Sequence, residues 1–241
     1  MQEESQDGVH ADAPFAPMRR TDWFNELPVD LQRRLSRRMM PRRFAAGAVI
    51  YREGDPGNVM YRIVSGRVRI RSISGSGKEV LMVIYGPGHC IGAVSVLDGL
   101  PRHSDAVAEC DVVLDSLAAQ HFHALARREP TLYRALAVSY AMWIRDFHAM
   151  FSAGQPLAER LARRLDFLLD FGITESDERA SGALRIELTQ EMLAASIAVS
   201  RQAISRLVQD WQDSGVIDYR YGSMVILDRE RLRKLAGKVP S

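Results

Sequence analysis

LTQEMLAASIAVSRQAISRLVQDWQ, residues 188 to 212, is the stretch whose reading decides the fold. Thr189 can cap a short helix, because its side-chain oxygen accepts from an amide that the first turn leaves without a partner, and Gln190 and Glu191 suit the positive end of the helix dipole. Met192, Leu193 and Ile197 form the apolar face. Ser200 is a second N-cap, followed by Ala203, Ile204, Leu207, Val208 and Trp211 at helical spacing. The spacing predicts two short helices around a tight turn, with small Ala194 at their crossing. Ala198 falls where such a turn favours a left-handed residue, a conformation that costs a non-glycine residue about 1–2 kcal/mol.

The second helix leaves Arg201, Gln202, Ser205 and Arg206 off its apolar face and near its N-terminus. A helix that reads DNA presents that end to base edges in the major groove. Downstream, residues 217–221 and 224–227 read as two strands joined at Gly222-Ser223, a wing. Asp228 caps a last helix with Leu232, Leu235 and Ala236 inside. Thr189, Gln190, Ser200 and Arg220 are placed for phosphates, which set register without carrying sequence information.

The rest of the chain falls into segments of different period. Residues 1–20 mix acids, Gly, Ala and Pro without periodicity and are expected to be a disordered tail. Trp23, Phe24, Leu27, Leu31 and Leu35 then mark an amphipathic helix broken near Pro28. From Phe44 to about Leu117 the period changes to two, with turn signals at 54–57, 65–66, 74–77 and 86–88, which predicts an antiparallel sandwich or barrel. Arg67, Arg69 and Arg71 alternate along one strand and read as its solvated face.

Pro130 opens a helix to about Ser152 in which Tyr133, Leu136, Tyr140, Trp143, Phe147 and Met150 recur at spacings of three and four. This heptad-like seam is expected to pair with a second subunit, though packing on the chain's own β domain is open to it as well. After the Gly154–Pro156 break, residues 157–169 form another amphipathic helix, and Phe171 to Gly182 read as a polar loop. The fold class is α+β. The domains are the tail, a β-roll over 21–129, a dimerisation helix over 130–153 and a winged helix-turn-helix over 154–241.

With 241 residues and 46% hydrophobic content, two cores of ordinary size can be buried. A net charge of +2 provides no strong overall field, so DNA binding would rest on local arginines. Two cysteines, Cys90 and Cys110, without a CxxC spacing, and the absence of a membrane-length apolar run, point to a cytoplasmic protein away from membranes. Nucleophile elbow, P-loop and zinc spacings are absent from the sequence, so neither an enzyme nor a metal site is expected.

In this order of elements the chain resembles the CRP/FNR family of bacterial transcription regulators. The resemblance is carried by Glu53-Gly54-Asp55, by residues 61–68, by Gly88 to Gly92, by Leu97 to Arg102, and by Ser200 to Arg206. It implies a homodimer paired along the central helices, a two-fold site on double-stranded DNA, and a small effector held in the β-roll. An activator of this type would also touch RNA polymerase. In nucleotide-binding members the segment matching Gly92 to Arg102 is a phosphate cassette, in which a Glu holds the ribose and Arg and Ser hold the cyclic phosphate. Gly92 and Arg102 match here. Ala93 and His103 stand in place of the Glu and the Ser, and Phe147 and His148 occupy the base-facing helix positions.

The resemblance therefore implies an effector pocket at Gly92, Arg102, His103, Phe147 and His148, filled by a molecule other than cAMP or by side chains, with no certain cofactor. A haem- or redox-sensing regulator of the same fold, and a cyclic-nucleotide signalling module without DNA binding, are the alternatives.

Overall fold

The computed structural model describes residues 22–75, 77, 79–151, 154–172 and 184–237. The expected tail over 1–20 and most of the polar loop before Gly182 lie outside them. Phe171, which the sequence placed in that loop, closes a helix instead.

Helix α1 (Val29–Ser36) leads into two four-stranded antiparallel sheets. One has the order β1 (Met40–Phe44), β8 (Val112–Ala118), β3 (Val59–Ser65), β6 (Cys90–Ile91). The other has β2 (Val49–Tyr51), β7 (Asp105–Ala108), β4 (Val68–Ile73), β5 (Glu79–Tyr85). Between the faces lie Ile63, Val68, Val83, Ile91, Val112 and Leu114, as the two-residue period requires. Short α2 (Ala93–Asp98) interrupts the strands, and α3 (Ala119–Ala126) follows them. Trp23, Phe24, Leu27, Leu31 and Leu35 pack with Phe122, Leu132 and Leu136, closing one end of the roll.

Helix α4 (Thr131–Phe151) is the long central element. Its three-and-four-spaced stripe divides: Leu136, Tyr140 and Trp143 turn to the chain's own β domain, and Tyr133 and Phe147 are exposed. Leu136 is 1% exposed in the core with α1 and α3, and Tyr140 and Trp143 pack on the roll's two apolar clusters. The reason is that wide aromatic side chains recurring on one side of a helix find their largest apolar surface in the sheet beside them. The outward side carries Tyr133 of that stripe together with Ala137, Ala141 and Ile144, of which Ile144 is 50% exposed. Phe147 is exposed and stacks on Trp143 at 5.5 Å. The side chain of Met150 lies outside the described residues.

Helix α5 (Leu157–Gly172) begins the C-terminal domain. It buries Leu161, Leu165, Phe167 and Leu168, so it is apolar on more than one side, because it lies between the roll and the following helices. A three-stranded sheet of β10 (Ile217–Arg220), β11 (Ser223–Ile226) and β9 (Leu184–Glu187) forms the wing. Strand β9 went unread in the sequence. Its signal was the alternation Leu184-Arg185-Ile186-Glu187-Leu188, too short beside the adjacent helical pattern to stand out. Helices α6 (Gln190–Ser196) and α7 (Arg201–Asp213) form the helix pair, and α8 (Arg229–Leu235) ends the fold.

The two domains are packed together. Leu81 and Ile84 of β5 belong to the same apolar cluster as Leu193, Ile204 and Trp211. Arg164, only 3% exposed, donates to the Leu81 carbonyl at 2.7 Å and to Ser196 Oγ at 3.2 Å, and burial lowers its pKa to about 10. Of the strand arginines, Arg69 takes part in this contact and is not merely solvated. Arg69 is ion-paired to Glu109 and Glu79, and it reaches the Glu187 carbonyl at 3.5 Å. Arg71 pairs with Glu79 and Asp105. Acidic side chains supplied by β5, β7 and the turn after β7 turn a solvated face into an ionic network beside the second domain.

Candidate nucleic-acid interface and effector pocket

The helix pair is built by short-range rules. Thr189 Oγ1 accepts from the Met192 N–H at 3.2 Å and Ser200 Oγ from the Ala203 N–H at 3.3 Å, so each helix starts where a capping oxygen stands. Ala194 is buried at the crossing, and the Val199 N–H donates to its carbonyl. Ala198 adopts φ 54°, the left-handed conformation that the turn requires. Asp228 caps α8 through the Arg231 N–H at 2.8 Å.

Arg201, Gln202, Ser205 and Arg206 are all exposed on one side of α7, at its N-terminal half. Arg201 Nε lies 2.7 Å from Glu191 Oε1, which ties the two helices together across the turn and orients the guanidinium. The pair is more than half exposed on both sides, so it is readily exchanged for another anion. Thr189 and Ser200 are exposed beside this face, with Gln190 half-buried. On the wing, Arg220 pairs with Asp218 at 3.1 Å. The hairpin turn falls at Tyr221-Gly222, one residue earlier than the sequence indicated, with φ 52° and 78°. Tyr221 is fully exposed at the tip, a wing residue that sequence reasoning passed over because a bulky side chain at positive φ is unusual in such a turn.

The β-roll encloses a cavity of about 320 Å³ against α4. Six aromatic side chains line it: Trp23, Tyr51, Tyr85, Tyr140, Trp143 and Phe171. The last of these comes from α5 of the other domain, whose Phe171 carbonyl accepts from the Gly86 N–H at 2.8 Å. Burial pushes the hydroxyls of Tyr51, Tyr85 and Tyr140 upward, so they stay protonated. Asp22, Asp146 and His103 also face the cavity. Asp22 Oδ1 accepts from the Phe24 N–H at 2.9 Å and Oδ2 from the Cys90 N–H at 2.7 Å, while burial raises its carboxyl above the usual value. The Cys90 thiol is likewise pushed up by burial, the opposite of what a reactive thiol needs. Cys110 sits half-buried in the turn between β7 and β8.

Of the residues expected in the effector pocket, Gly92 and His103 line the cavity. Arg102, Phe147 and His148 are not among its lining residues. Arg102 is 4% exposed, and its guanidinium is taken up by backbone: one nitrogen donates to the Gly92 carbonyl at 2.7 Å, another to the Val59 carbonyl, and the group lies over the Tyr51 ring at 4.3 Å. Two buried carbonyls in need of donors outweigh an anion site, since an unsatisfied buried carbonyl is expensive. Gly92, at φ 77°, is required by this arrangement, because a Cβ there would stand 2.5 Å from an Arg102 nitrogen. Phe147 and His148 fall outside because the inward side of α4 is taken by Ser139, Tyr140, Trp143 and Asp146.

Comparisons with known proteins agree with this architecture. Residues 41–129 match the cyclic nucleotide-binding domain family, and residues 159–235 match the Crp-like helix-turn-helix domain family. A CRP-like cAMP-activated global transcriptional regulator of Mycobacterium tuberculosis is 30% identical over 207 residues, covering 84% of this chain and 90% of the relative. A cyclic AMP receptor protein of Thermus thermophilus is 29% identical over 197 residues, covering 81% and 87%. Among solved structures, a transcriptional regulator of the CRP/FNR family, also from Thermus thermophilus, superposes with a TM-score of 0.65 at 26% identity, over 83% of this chain and all of that one. A roll that holds a small cavity, a central helix and a capped helix pair with a wing, matched in order and across most of both chains, place this protein in the CRP/FNR family of DNA-binding transcription regulators.

Proposed function

We propose that the protein acts as a homodimer on a two-fold DNA site, reading one half-site with each α7, under the control of a small effector in the β-roll that is not cAMP. One observation carries the second part. The arginine that matches the phosphate-holding position, Arg102, is spent on the Gly92 and Val59 carbonyls. The mycobacterial relative is described as cAMP-activated.

Base readout falls to Arg201, Gln202, Ser205 and Arg206, and phosphate contact to Thr189, Gln190, Ser200 and Arg220. Arg suits guanine O6 and N7, and Gln suits adenine. The dimer face is the outward side of α4 at Tyr133, Ala137, Ala141 and Ile144, which shares Tyr133 with the seam expected from the sequence. Small residues there let two helices approach closely. Phe171 supports the gating, because a ligand in the cavity would touch the first helix of the DNA-binding domain directly. The chain is a regulator without catalysis of its own, cytoplasmic, and in contact with RNA polymerase where it activates. Among the described residues no helix is long and apolar enough to cross a membrane.

Selection of binding sites from random DNA tests this reading. It should return a two-fold consensus, and Gln202→Glu should change one position in each half-site. An unstructured pool from the wild type would refute DNA reading by this face. An unaltered consensus from the variant would refute the role of Gln202.

A further inference from the structure

Three tyrosines of the cavity wall come from three different elements: Tyr51 from β2, Tyr85 from β5 and Tyr140 from α4. Tyr51 is 8% exposed, and the other two are half-buried. Among the described residues none of their hydroxyls has a hydrogen-bond partner in the protein. The Trp23 indole nitrogen is unpartnered as well, but surrounding atoms seal it off, whereas the tyrosine hydroxyls stay open to the cavity. Polar groups in a buried setting are rarely left without a partner. Burial holds the three phenols protonated, so each can donate as well as accept. Ionised, Tyr140 would repel Tyr85, Tyr51 and Asp22, and Tyr85 would repel Tyr51 and Asp22, which marks the three as neighbours around one carboxyl. Ser104 and Ser139 add two smaller hydroxyls to the wall, while Met82, Val83 and Phe171 bring apolar surface. One part of the wall is therefore rich in donors and the rest is apolar.

We propose that this cavity binds a flat ring compound carrying two or more oxygen acceptors on one edge, with the hydroxyls of Tyr51, Tyr85 and Tyr140 donating to those oxygens. The proposal deepens the reading that the β-roll holds an effector other than cAMP, and it rests on that reading. Hydroxyls standing on three elements fix where the oxygens lie, and the apolar part of the wall takes the rings. A volume of about 320 Å³ leaves room for two or three rings. A site built to hydrogen-bond an oxygen rejects an analogue that lacks it, because its own hydroxyls are then left desolvated and unpaired. Hydrophobicity alone gives the reverse order, since the purely apolar analogue gains more on leaving water.

Coumarin and naphthalene test the proposal on the full chain by equilibrium dialysis. Both are flat two-ring compounds of nearly the same size, and coumarin carries its two oxygens on one edge. Coumarin should bind about tenfold or more tightly than naphthalene. Tyr85→Phe and Tyr140→Phe should each cut that preference by about two- to tenfold, the worth of one hydrogen bond. Combining them with Tyr51→Phe should reverse the order. Because the hydroxyls bond to nothing in the fold, neither single variant should lower the denaturation midpoint.

Naphthalene binding as tightly as coumarin, or a preference unchanged in both single variants, overturns the proposal. A lowered midpoint in both variants would assign the hydroxyls to the fold and overturn it as well. cAMP is titrated alongside. Silence from coumarin and cAMP alike overturns the ligand class alone, whereas saturable binding of cAMP overturns the reading of a non-cAMP effector on which the class rests.

Discussion

Arg206 and Arg102 are the same residue type in two regions, and the structure uses them in opposite ways. On α7, Arg206 stands exposed at the N-terminal half of a capped helix. In the β-roll, Arg102 is buried under Tyr51 and tied to two carbonyls. An exposed side chain at a helix N-terminus is oriented by rules that act within one or two turns. A buried one is oriented by whichever unsatisfied groups the folded chain brings near it. A motif match therefore transfers a role more safely to the first kind of site than to the second.

The largest effect expected from this contrast is on folding. Arg102→Ala should lower stability by about 2–6 kcal/mol, since two buried carbonyls each lose a donor at about 1–3 kcal/mol. Denaturant titration would show it as a shifted midpoint, whereas an Arg held ready for a ligand would leave the ligand-free midpoint in place. Arg206→Ala should leave the midpoint alone and weaken specific DNA binding by about 1–3 kcal/mol, loosening one base position. Arg220→Ala should weaken all sequences alike, which competition with unrelated DNA would separate. Equal loss on every sequence from both variants would erase the distinction between base and phosphate contacts.

Smaller effects probe the local rules themselves. Ala198→Gly should raise stability by up to about 1 kcal/mol, because relief of the left-handed strain is partly offset by the greater freedom of glycine in the unfolded chain. A lower thermal midpoint would show that the methyl group contributes packing that outweighs strain. The smallest effect concerns pH. His89 lies between Tyr85 and Phe171, with Nδ1 3.2 Å from the Gly86 carbonyl, and burial lowers its pKa below 6.5. As pH falls through 6.5 the unfolded chain takes up a proton that the folded chain refuses, so stability present above 6.5 is lost progressively. Asp22, raised by burial, works in the opposite sense, since its folded form binds a proton more readily than the unfolded form. Stability measured between pH 7.5 and 6 for the wild type and for His89→Gln should differ by the histidine's part of the slope.

Much of the DNA-reading half was legible in the sequence. The oxygens of Thr189, Ser200 and Asp228 mark helix starts by a bond to an amide three residues on, and Ala198 marks its turn by the φ it must adopt. The roll's strands were legible from their period, and their boundaries from the turn residues between them. The pocket was legible only in outline. Gly92 and His103 were found, but Trp23, Tyr140, Trp143 and Phe171 were read as packing, seam or loop. Nothing in the spacing of an aromatic stripe says whether it meets a partner helix, a sheet or an empty space.

The sequence by itself determined the order of the elements, the starts of the paired helices and the polar face of α7, because capping, turn geometry and periodicity are settled among near neighbours. Only the tertiary structure decided that Arg102 serves carbonyls, that the inward side of α4 lines a cavity, and that Phe171 joins that cavity to the second domain. Those outcomes depend on burial, and burial is set by segments far apart in the chain.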